Sequence, residues 1–166
     1  MTCHTAGQVG NVPVSERFLT EISWQNAGGE GLSFSRDHIV RYPGKGELHG
    51  SSAPSFAGNA AHVNPEELFV SSVSSCQMLT YLFLCFKNKM VVQSYEDHAE
   101  GILDKLSPGK FWMKEITLRP VIRFSGADTQ QARAMAIRLI HEAHDSCFIA
   151  QSVKTVVNIE PSLVFL

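Results

Sequence analysis

The chain has 166 residues and a formal net charge of −2, and 44% of its residues are hydrophobic against 18% charged. This composition is ordinary for one globular domain and excludes intrinsic disorder, and a core of this size needs no disulfide or metal to fold. No run of basic residues stands out. The charge pattern therefore excludes an electrostatic surface for nucleic acid or a membrane, and we expect neither as a partner.

The N-terminal residues and one apolar stretch bear on the location of the protein. Residues 1–14 are small and polar and contain Gly and Pro, so we interpret them as a flexible arm before a single domain over residues 15–166. Residues 1–18 lack the charged and apolar regions of a signal peptide. This favours a cytoplasmic location, where cysteines stay reduced. Residues 68–86 are nineteen residues without a charge, long enough to span a membrane. Serine, threonine and glutamine residues lower the hydrophobicity of this stretch, so we predict a buried helix rather than a membrane span.

The first third of the chain predicts short strands and loops. We expect a strand within residues 17–24, a turn around residues 28–31, and one or two short strands within residues 32–42. Residues 43–63 are rich in Gly, Ser, Ala and Pro without periodicity, which is typical of a long loop.

A long helix is the clearest element in the sequence. Asn64 is a suitable N-cap, Pro65 suits the first helical position, and Glu66 and Glu67 complement the positive end of the helix dipole. The pattern predicts a helix to about Lys89, with a length of roughly 37 Å. It is apolar nearly all round, so other elements must surround it. One chain offers too little sheet for this, and we therefore expect a homodimer.

The second half of the chain predicts paired strands, a helix and a last strand. Residues 90–104 and 112–124 are typical of two strands around a turn at residues 106–110, and residues 153–160 of a final strand. Asp128 or Thr129 is expected to cap a second helix that ends near Asp145. The predicted buried stripe of that helix is Ala132, Met135, Ala136, Leu139, Ile140 and Ala143. Strands interrupted by two helices predict an α+β fold with mostly antiparallel sheet.

Two cysteines are candidates for chemistry. Cys76 follows a patch of small polar residues, VSSVSS, which would let a molecule approach its thiol closely. Cys147 follows the second helix, where the chain turns, just after His144. Cys85 lies nine residues beyond Cys76, about 180° round the same helix, so we interpret it as core packing. Cys3 lies in the arm and is given no role.

The surroundings of these cysteines resemble a known family. The run NPEELFVSSVSSC at residues 64–76 resembles the signature of the OsmC/Ohr family of thiol-dependent hydroperoxide reductases, and HDSCFIAQSVKT at residues 144–155 is similar to its second cysteine motif. The stretches SRDH, SYEDHAEG and LRP resemble a less studied OsmC-like branch. The resemblance covers residues 33–160, and about seventy residues separate the two cysteines.

The resemblance implies a fold and a reaction. The implied fold is α+β, with antiparallel sheets wrapped around long central helices in an intertwined homodimer. Cys76 would attack an organic hydroperoxide or hydrogen peroxide and become a sulfenic acid. Cys147 would condense with it to a disulfide, which an external dithiol such as a lipoyl protein or a small thiol reduces. No metal or organic cofactor is implied, because the sulfur itself is oxidised and reduced.

A thiolate inside an apolar helix needs a positive charge. The family uses an arginine bound to a glutamate, and Glu66 matches that glutamate by lying ten residues before Cys76. Arg36 is our first choice for the arginine and Arg41 the second. Ten helical residues place Glu66 roughly 15 Å from Cys76, so a shared site needs two subunits or a bent first turn.

One position departs from the branch. A histidine commonly follows the first cysteine there, whereas this chain has Gln77. His98 or His38 could act as a base or donor instead, although each is more simply a polar sheet or surface residue.

Two other functions fit parts of the sequence. His141, His144 and Cys147 are spaced three apart and could bind zinc, although HEAH is one residue shorter than the zincin motif. A non-enzymatic dimer that binds a small apolar ligand or senses redox state would leave Cys76 as inert packing. Thiol titration separates this from a peroxidase, whose cysteine reacts well below the ordinary thiol pKa of about 8.5.

Overall fold

The computed structural model describes residues 15–26 and 34–166, so the predicted arm and the predicted turn near residues 28–31 lie outside the described residues. The strands are β1 (Glu21–Ser23), β2 (His38–Tyr42), β3 (Gly46–Gly50), β4 (Val91–Asp97), β5 (Glu100–Ser107), β6 (Lys110–Leu118), β7 (Pro120–Ser125), β8 (Val156–Ile159) and β9 (Ser162–Phe165). The α-helices are α1 (Pro65–Lys87), α2 (Gln130–Ser146) and α3 (Phe148–Gln151), and a 3-10 helix covers Pro54–Phe56. The predicted α+β class is confirmed.

The strands form three sheets of three, in the orders β1-β2-β3, β4-β7-β9 and β5-β6-β8. The pairs β1–β2, β2–β3, β4–β7 and β5–β6 are antiparallel. Strands β8 and β9 join β6 and β7 in parallel. The sheets are thus mostly antiparallel, as expected.

The two predicted strands pair with each other around the predicted turn, but each is interrupted once, so the structure has four shorter strands. The chain leaves sheet geometry after Asp97 and at Arg119, so β4 pairs with β7 in one sheet and β5 with β6 in another. Of these four strands, only β5 and β6 are joined directly as a hairpin, which turns at Gly109 with a φ of 75° that glycine adopts without strain. The alternation continues through Arg119 and buries Leu118 and Pro120 on either side of it. Periodicity therefore could not reveal the break.

The predicted loop over residues 43–63 is wrong in its first part. Strands β2 and β3 form a hairpin around Gly44, which has a φ of 77°, and Arg41 bonds Glu47 across it at 2.9 Å. Strand β3 is five residues long with glycine at both ends, which leaves too few side chains for an alternation to be recognised. The remainder of the segment contains only the single-turn 3-10 helix and leads to α1.

Helix α1 begins where the sequence predicted. The Glu67 N–H donates to Asn64 Oδ1 at 2.9 Å, and the Asn64 N–H donates to Glu67 Oε2 at 3.0 Å, which forms a capping box. The helix ends at Lys87, two residues before the expected end. Its fully buried residues are Val73, Gln77, Tyr81, Leu84 and Cys85. The described residues of one chain therefore cover only one side of α1.

Helix α2 was predicted correctly. The Thr129 hydroxyl oxygen accepts the Ala132 N–H at 3.1 Å and caps the helix. Of the predicted stripe, Ala136, Leu139, Ile140 and Ala143 are buried, and Ala132 and Met135 are half-buried. The main core lies between α1, α2 and the β4-β7-β9 sheet, and a smaller cluster joins α1 to β6. Helix α3 and strand β9 were not predicted.

Candidate active site

The packing of α1 against α2 and α3 brings Cys76 and Cys147 together. Cys76 is half-buried on α1, and its side chain contacts the thiol of Cys147. Cys147 is fully buried at the junction of α2 and α3, where its N–H donates to the His144 carbonyl at 3.2 Å. Its Sγ accepts the Ala150 N–H at 3.4 Å and caps α3. Both thiols are free.

The buried thiol is held in its protonated form. Burial raises the pKa of Cys147 to about 11, and the contact with Cys76 acts in the same direction. The N–H groups of Ala150 and Ile149 oppose this shift without cancelling it. At neutral pH, Cys147 is therefore a neutral thiol beside a more accessible one.

Cys85 belongs to the core, as predicted. It is 1% exposed and packs in the main cluster with Tyr81. Burial raises the pKa of Cys85 to about 11, although a hydrogen bond with Tyr81 lowers it in part. The buried face of α1 thus carries an unreactive thiol, and the margin of that face carries Cys76.

Gln77 bridges the two helices next to the thiols. It is 2% exposed, and its Nε2 donates to the Ile140 carbonyl of α2 at 3.1 Å. Its Oε1 is buried and has no hydrogen-bond partner in residues 15–26 and 34–166. Gln77, where the resembled branch commonly has a histidine, therefore links α1 to α2 and leaves one hydrogen-bond acceptor unpaired among the described residues.

The histidines considered from the sequence differ in their exposure and contacts. His141 is exposed, whereas His144 is half-buried, with an Nδ1 that has no hydrogen-bond partner in the described part of the chain. His38 places its Nδ1 2.9 Å from the Arg36 carbonyl, and His98 is exposed between β4 and β5. No three His, Cys, Asp or Glu side chains converge as a metal site within the described residues. The zinc alternative has no support from this geometry.

The two candidate arginines lie in the N-terminal sheet region. Arg36 stacks on the Phe34 ring, with 4.7 Å between its Cζ and the ring centroid. It lines a cleft of about 510 Å³ that also reaches Pro65 at the start of α1. Arg41 donates to Glu47 at 2.9 Å and to the Ser23 hydroxyl at 3.0 Å. Both partners of Arg41 thus lie in its own β1-β2-β3 sheet, while Arg36 lies closer to the N-terminus of α1.

Glu66 lies on a different face of α1 from Cys76. It lines a cleft of about 540 Å³ between α1 and strands β4, β5 and β6. Ten residues of helix separate it from Cys76 by roughly 15 Å. It forms no ion pair with Arg36 or Arg41 within the described residues. A single chain therefore joins the two thiols but not the arginine and the glutamate.

Sequence reasoning missed a polar contact in the same cleft. Asp97 accepts hydrogen bonds from the Ser74 hydroxyl and from the Arg119 N–H, the latter at 2.7 Å. It ties α1 to the point where β6 passes into β7. A carboxylate at the end of a strand, inside the SYEDHAEG stretch already noted, was the available signal.

Comparison with known proteins identifies the family. The sequence profile of OsmC-like proteins matches residues 58–162. The chain belongs to the OsmC-like family. An OsmC-like protein of unknown function from Vibrio cholerae O1 biovar eltor str. N16961 is similar in structure, with a TM-score of 0.81 and 34% identity. The similarity covers 89% of this chain and 99% of that one.

The chain is also similar to one more distant solved structure and to one protein compared by sequence alone. An organic hydroperoxide resistance protein OsmC from Legionella pneumophila has a TM-score of 0.62 and 17% identity, over 90% of this chain and 97% of that one. The uncharacterized protein YmaD of Bacillus subtilis (strain 168) is 24% identical over 97 residues, which is 58% of this chain and 64% of that protein. The match thus spans less than two thirds of the Bacillus relative.

Family membership also bears on α1. By length and composition this helix could span a membrane, a test that the core helix of a soluble protein also passes. OsmC-like proteins are soluble, which favours a core helix. A cytoplasmic location stays a prediction.

Proposed function

We propose that this OsmC-like protein is a thiol-dependent peroxidase that reduces organic hydroperoxides or hydrogen peroxide. The observation that carries the proposal is the contact between the Cys76 side chain and the buried thiol of Cys147. Two thiols in contact can pass from a sulfenic acid to a disulfide without a large movement of either helix. The Legionella relative is named for organic hydroperoxide resistance, which agrees with this chemistry.

The difference in exposure supports different roles for the two cysteines. Cys76 is half-buried and borders the open side of α1, so a peroxide can reach it, whereas Cys147 is fully buried. In the first step the Cys76 thiolate attacks one peroxide oxygen. An S–O bond forms, the O–O bond breaks, and the alcohol or water leaves with a proton, which leaves Cys76 as a sulfenic acid.

The second step uses the neighbouring thiol. Cys147 attacks the sulfenic sulfur of Cys76, an S–S bond forms, and water leaves. An external dithiol then reduces this disulfide by exchange and becomes a disulfide itself. Cys76 and Cys147 return to thiols, and no metal or organic cofactor enters the cycle.

We further propose that the working unit is a homodimer. Arg36 lies near the beginning of α1, whereas Cys76 lies three turns further along it, so the cation and the thiol are apart in one chain. The uncovered side of α1 carries large apolar residues, Leu79 and Phe83, which are 63% and 40% exposed. A second copy on this side would cover them and could bring its own arginine and glutamate to the thiol.

The decisive experiment follows hydroperoxide consumption with dihydrolipoamide as the reductant. Cys76→Ser should abolish turnover, because oxygen cannot run the sulfenic-acid cycle. Cys147→Ser should consume one equivalent and then hold a sulfenic or over-oxidised Cys76, visible as added oxygen by mass spectrometry. Cys85→Ser is the matched control on the same helix and should keep wild-type turnover. Full turnover in Cys76→Ser would contradict the proposal.

A further inference from the structure

We infer that the external dithiol attacks the Cys76 sulfur of the disulfide and that Cys147 is the thiol released first. This inference rests on the proposed peroxidase function and assigns the point of attack in its last step. A disulfide has two sulfurs that a thiolate can attack, and the choice decides which cysteine carries the mixed disulfide with the reductant. The surroundings of Cys76 and Cys147 favour one of these two routes.

Access to the two sulfurs differs. Cys147 is fully buried where α2 meets α3, and α3 packs against both α1 and α2. Cys76 is half-buried at the margin of the buried face of α1. A second copy of the chain can only add cover, so association does not uncover Cys147. In this arrangement of the helices, a reductant therefore reaches the pair at Cys76.

The side chains that flank Cys76 along α1 leave room for a second sulfur. Ser72 and Thr80 lie four residues before and after it, so they are its neighbours on the same face of the helix. The Ser72 hydroxyl donates to the Phe69 carbonyl at 2.7 Å, and the Thr80 hydroxyl donates to the Cys76 carbonyl at 2.9 Å. Both hydroxyls are thus turned toward the helix backbone, and short side chains border the approach to Cys76.

The direction of attack agrees with this access. A thiolate attacks a disulfide in line, from the side opposite the sulfur that leaves. Cys147 lies on the α2 and α3 side of Cys76, so an attack on Cys76 comes from the side of α1 that the described residues of one chain leave open. An attack on Cys147 would have to come from the packed region between α2 and α3.

The acidity of the leaving thiol opposes this route. Burial raises the pKa of Cys147 to about 11, and a thiol of high pKa leaves slowly. The N–H groups of Ala150 and Ile149 lower this pKa in part, which favours the departing thiolate. Access decides between the routes, because a poor leaving group only slows the exchange, whereas a sulfur without exposed surface is not attacked at all.

The exchange balances with the dithiol as the only reductant. Its first thiolate forms an S–S bond to Cys76, the bond between Cys76 and Cys147 breaks, and Cys147 takes up the proton that the first thiol lost. The second thiol of the reductant then attacks the reductant sulfur of the mixed disulfide. Cys76 leaves as a thiolate, and the reductant leaves as a disulfide. The protein disulfide is reduced by two electrons, which the dithiol supplies.

The test stops the exchange after its first step. The disulfide is formed with the thiol oxidant diamide, so the test does not depend on peroxide reduction. The oxidised protein is mixed at neutral pH with 2-mercaptoethanol, a monothiol that lacks the second thiol. Samples are quenched with N-ethylmaleimide in denaturant, and peptide mass spectrometry locates the mercaptoethanol adduct. The double variant Cys3→Ser, Cys85→Ser is tested beside the wild type, because it retains only the two reacting thiols.

We expect the adduct on Cys76 in roughly tenfold excess over Cys147, with the maleimide on Cys147. The adduct should persist, because the released Cys147 stays protonated at neutral pH and attacks Cys76 again only slowly. An adduct mainly on Cys147, equal amounts on both, or none on Cys76 would overturn the inference. So would a Cys76 adduct found only in the wild type, because it would have come from another thiol. Reduced protein that consumes no hydroperoxide would instead overturn the proposed function.

Discussion

Replacement of Gln77 by methionine should stabilise the protein. The Oε1 of Gln77 is buried without a partner among residues 15–26 and 34–166, which costs about 1–3 kcal/mol of desolvation. The bond from its Nε2 to the Ile140 carbonyl contributes about 1 kcal/mol net. That carbonyl lies inside α2 and retains its helical partner when the amide is removed. Methionine has a similar shape and no group to leave unpaired. The expected gain is about 1 kcal/mol, or about 2–4 °C in Tm for a chain of this size.

The assay is thermal unfolding of fully reduced protein at fixed concentration, followed by circular dichroism. Gln131→Met, in the exposed first turn of α2, is the control and should change Tm by less than 2 °C. A fall of more than 3 °C in Gln77→Met would refute the reasoning, since it would show that Oε1 is paired in solution. Higher stability with slower peroxide turnover would show that the polar group is retained for the reaction.

Two further predictions concern the dimer and the cation. Leu79 and Phe83 together expose roughly 190 Å² of surface, and covering it contributes about 5 kcal/mol per protomer to association. The double variant Leu79→Glu, Phe83→Glu should therefore be monomeric by light scattering at micromolar concentration. Ile137→Glu on α2 should stay dimeric, and a monomeric wild type would refute the dimer. Arg36→Ala should slow alkylation of the peroxidatic thiol at neutral pH, with Arg41→Ala unchanged. If Arg41→Ala slows alkylation and Arg36→Ala does not, Arg41 is the arginine that stabilises the thiolate. If neither variant slows alkylation, neither arginine has this role.

The helices could be predicted because their signals are local. The Asn64 and Thr129 caps and the apolar spacing of α2 depend only on residues within one or two turns. The strand breaks depend on partners far along the chain: β4 pairs with β7 rather than with a neighbour. Nothing in the alternation around Arg119 distinguishes one long strand from two strands in different sheets.

The site was predictable in part for a similar reason. The motifs identified Cys76 and Cys147, and the structure shows their contact. The spacing of His141 and His144 suggested zinc, because sequence cannot show that one histidine is exposed while the other has a buried, unpaired nitrogen. Likewise, Gln77 could be recognised as a departure, but its contact with Ile140 depends on how α2 packs on α1.

Under the proposed function, disulfide formation depends on one chain alone, whereas attack on the peroxide depends on the dimer. Disulfide formation needs only Cys76 and Cys147, which α1 and the junction of α2 and α3 in one chain provide. Attack on the peroxide needs a cation near Cys76, and the described residues of one chain leave Arg36 near the beginning of α1, about three turns away from Cys76. A monomeric protein should therefore lose peroxide reduction but still form the disulfide with diamide, an oxidant that accepts electrons from thiols directly. Loss of both abilities in a folded monomer would show that the second copy also shapes the contact between the two thiols.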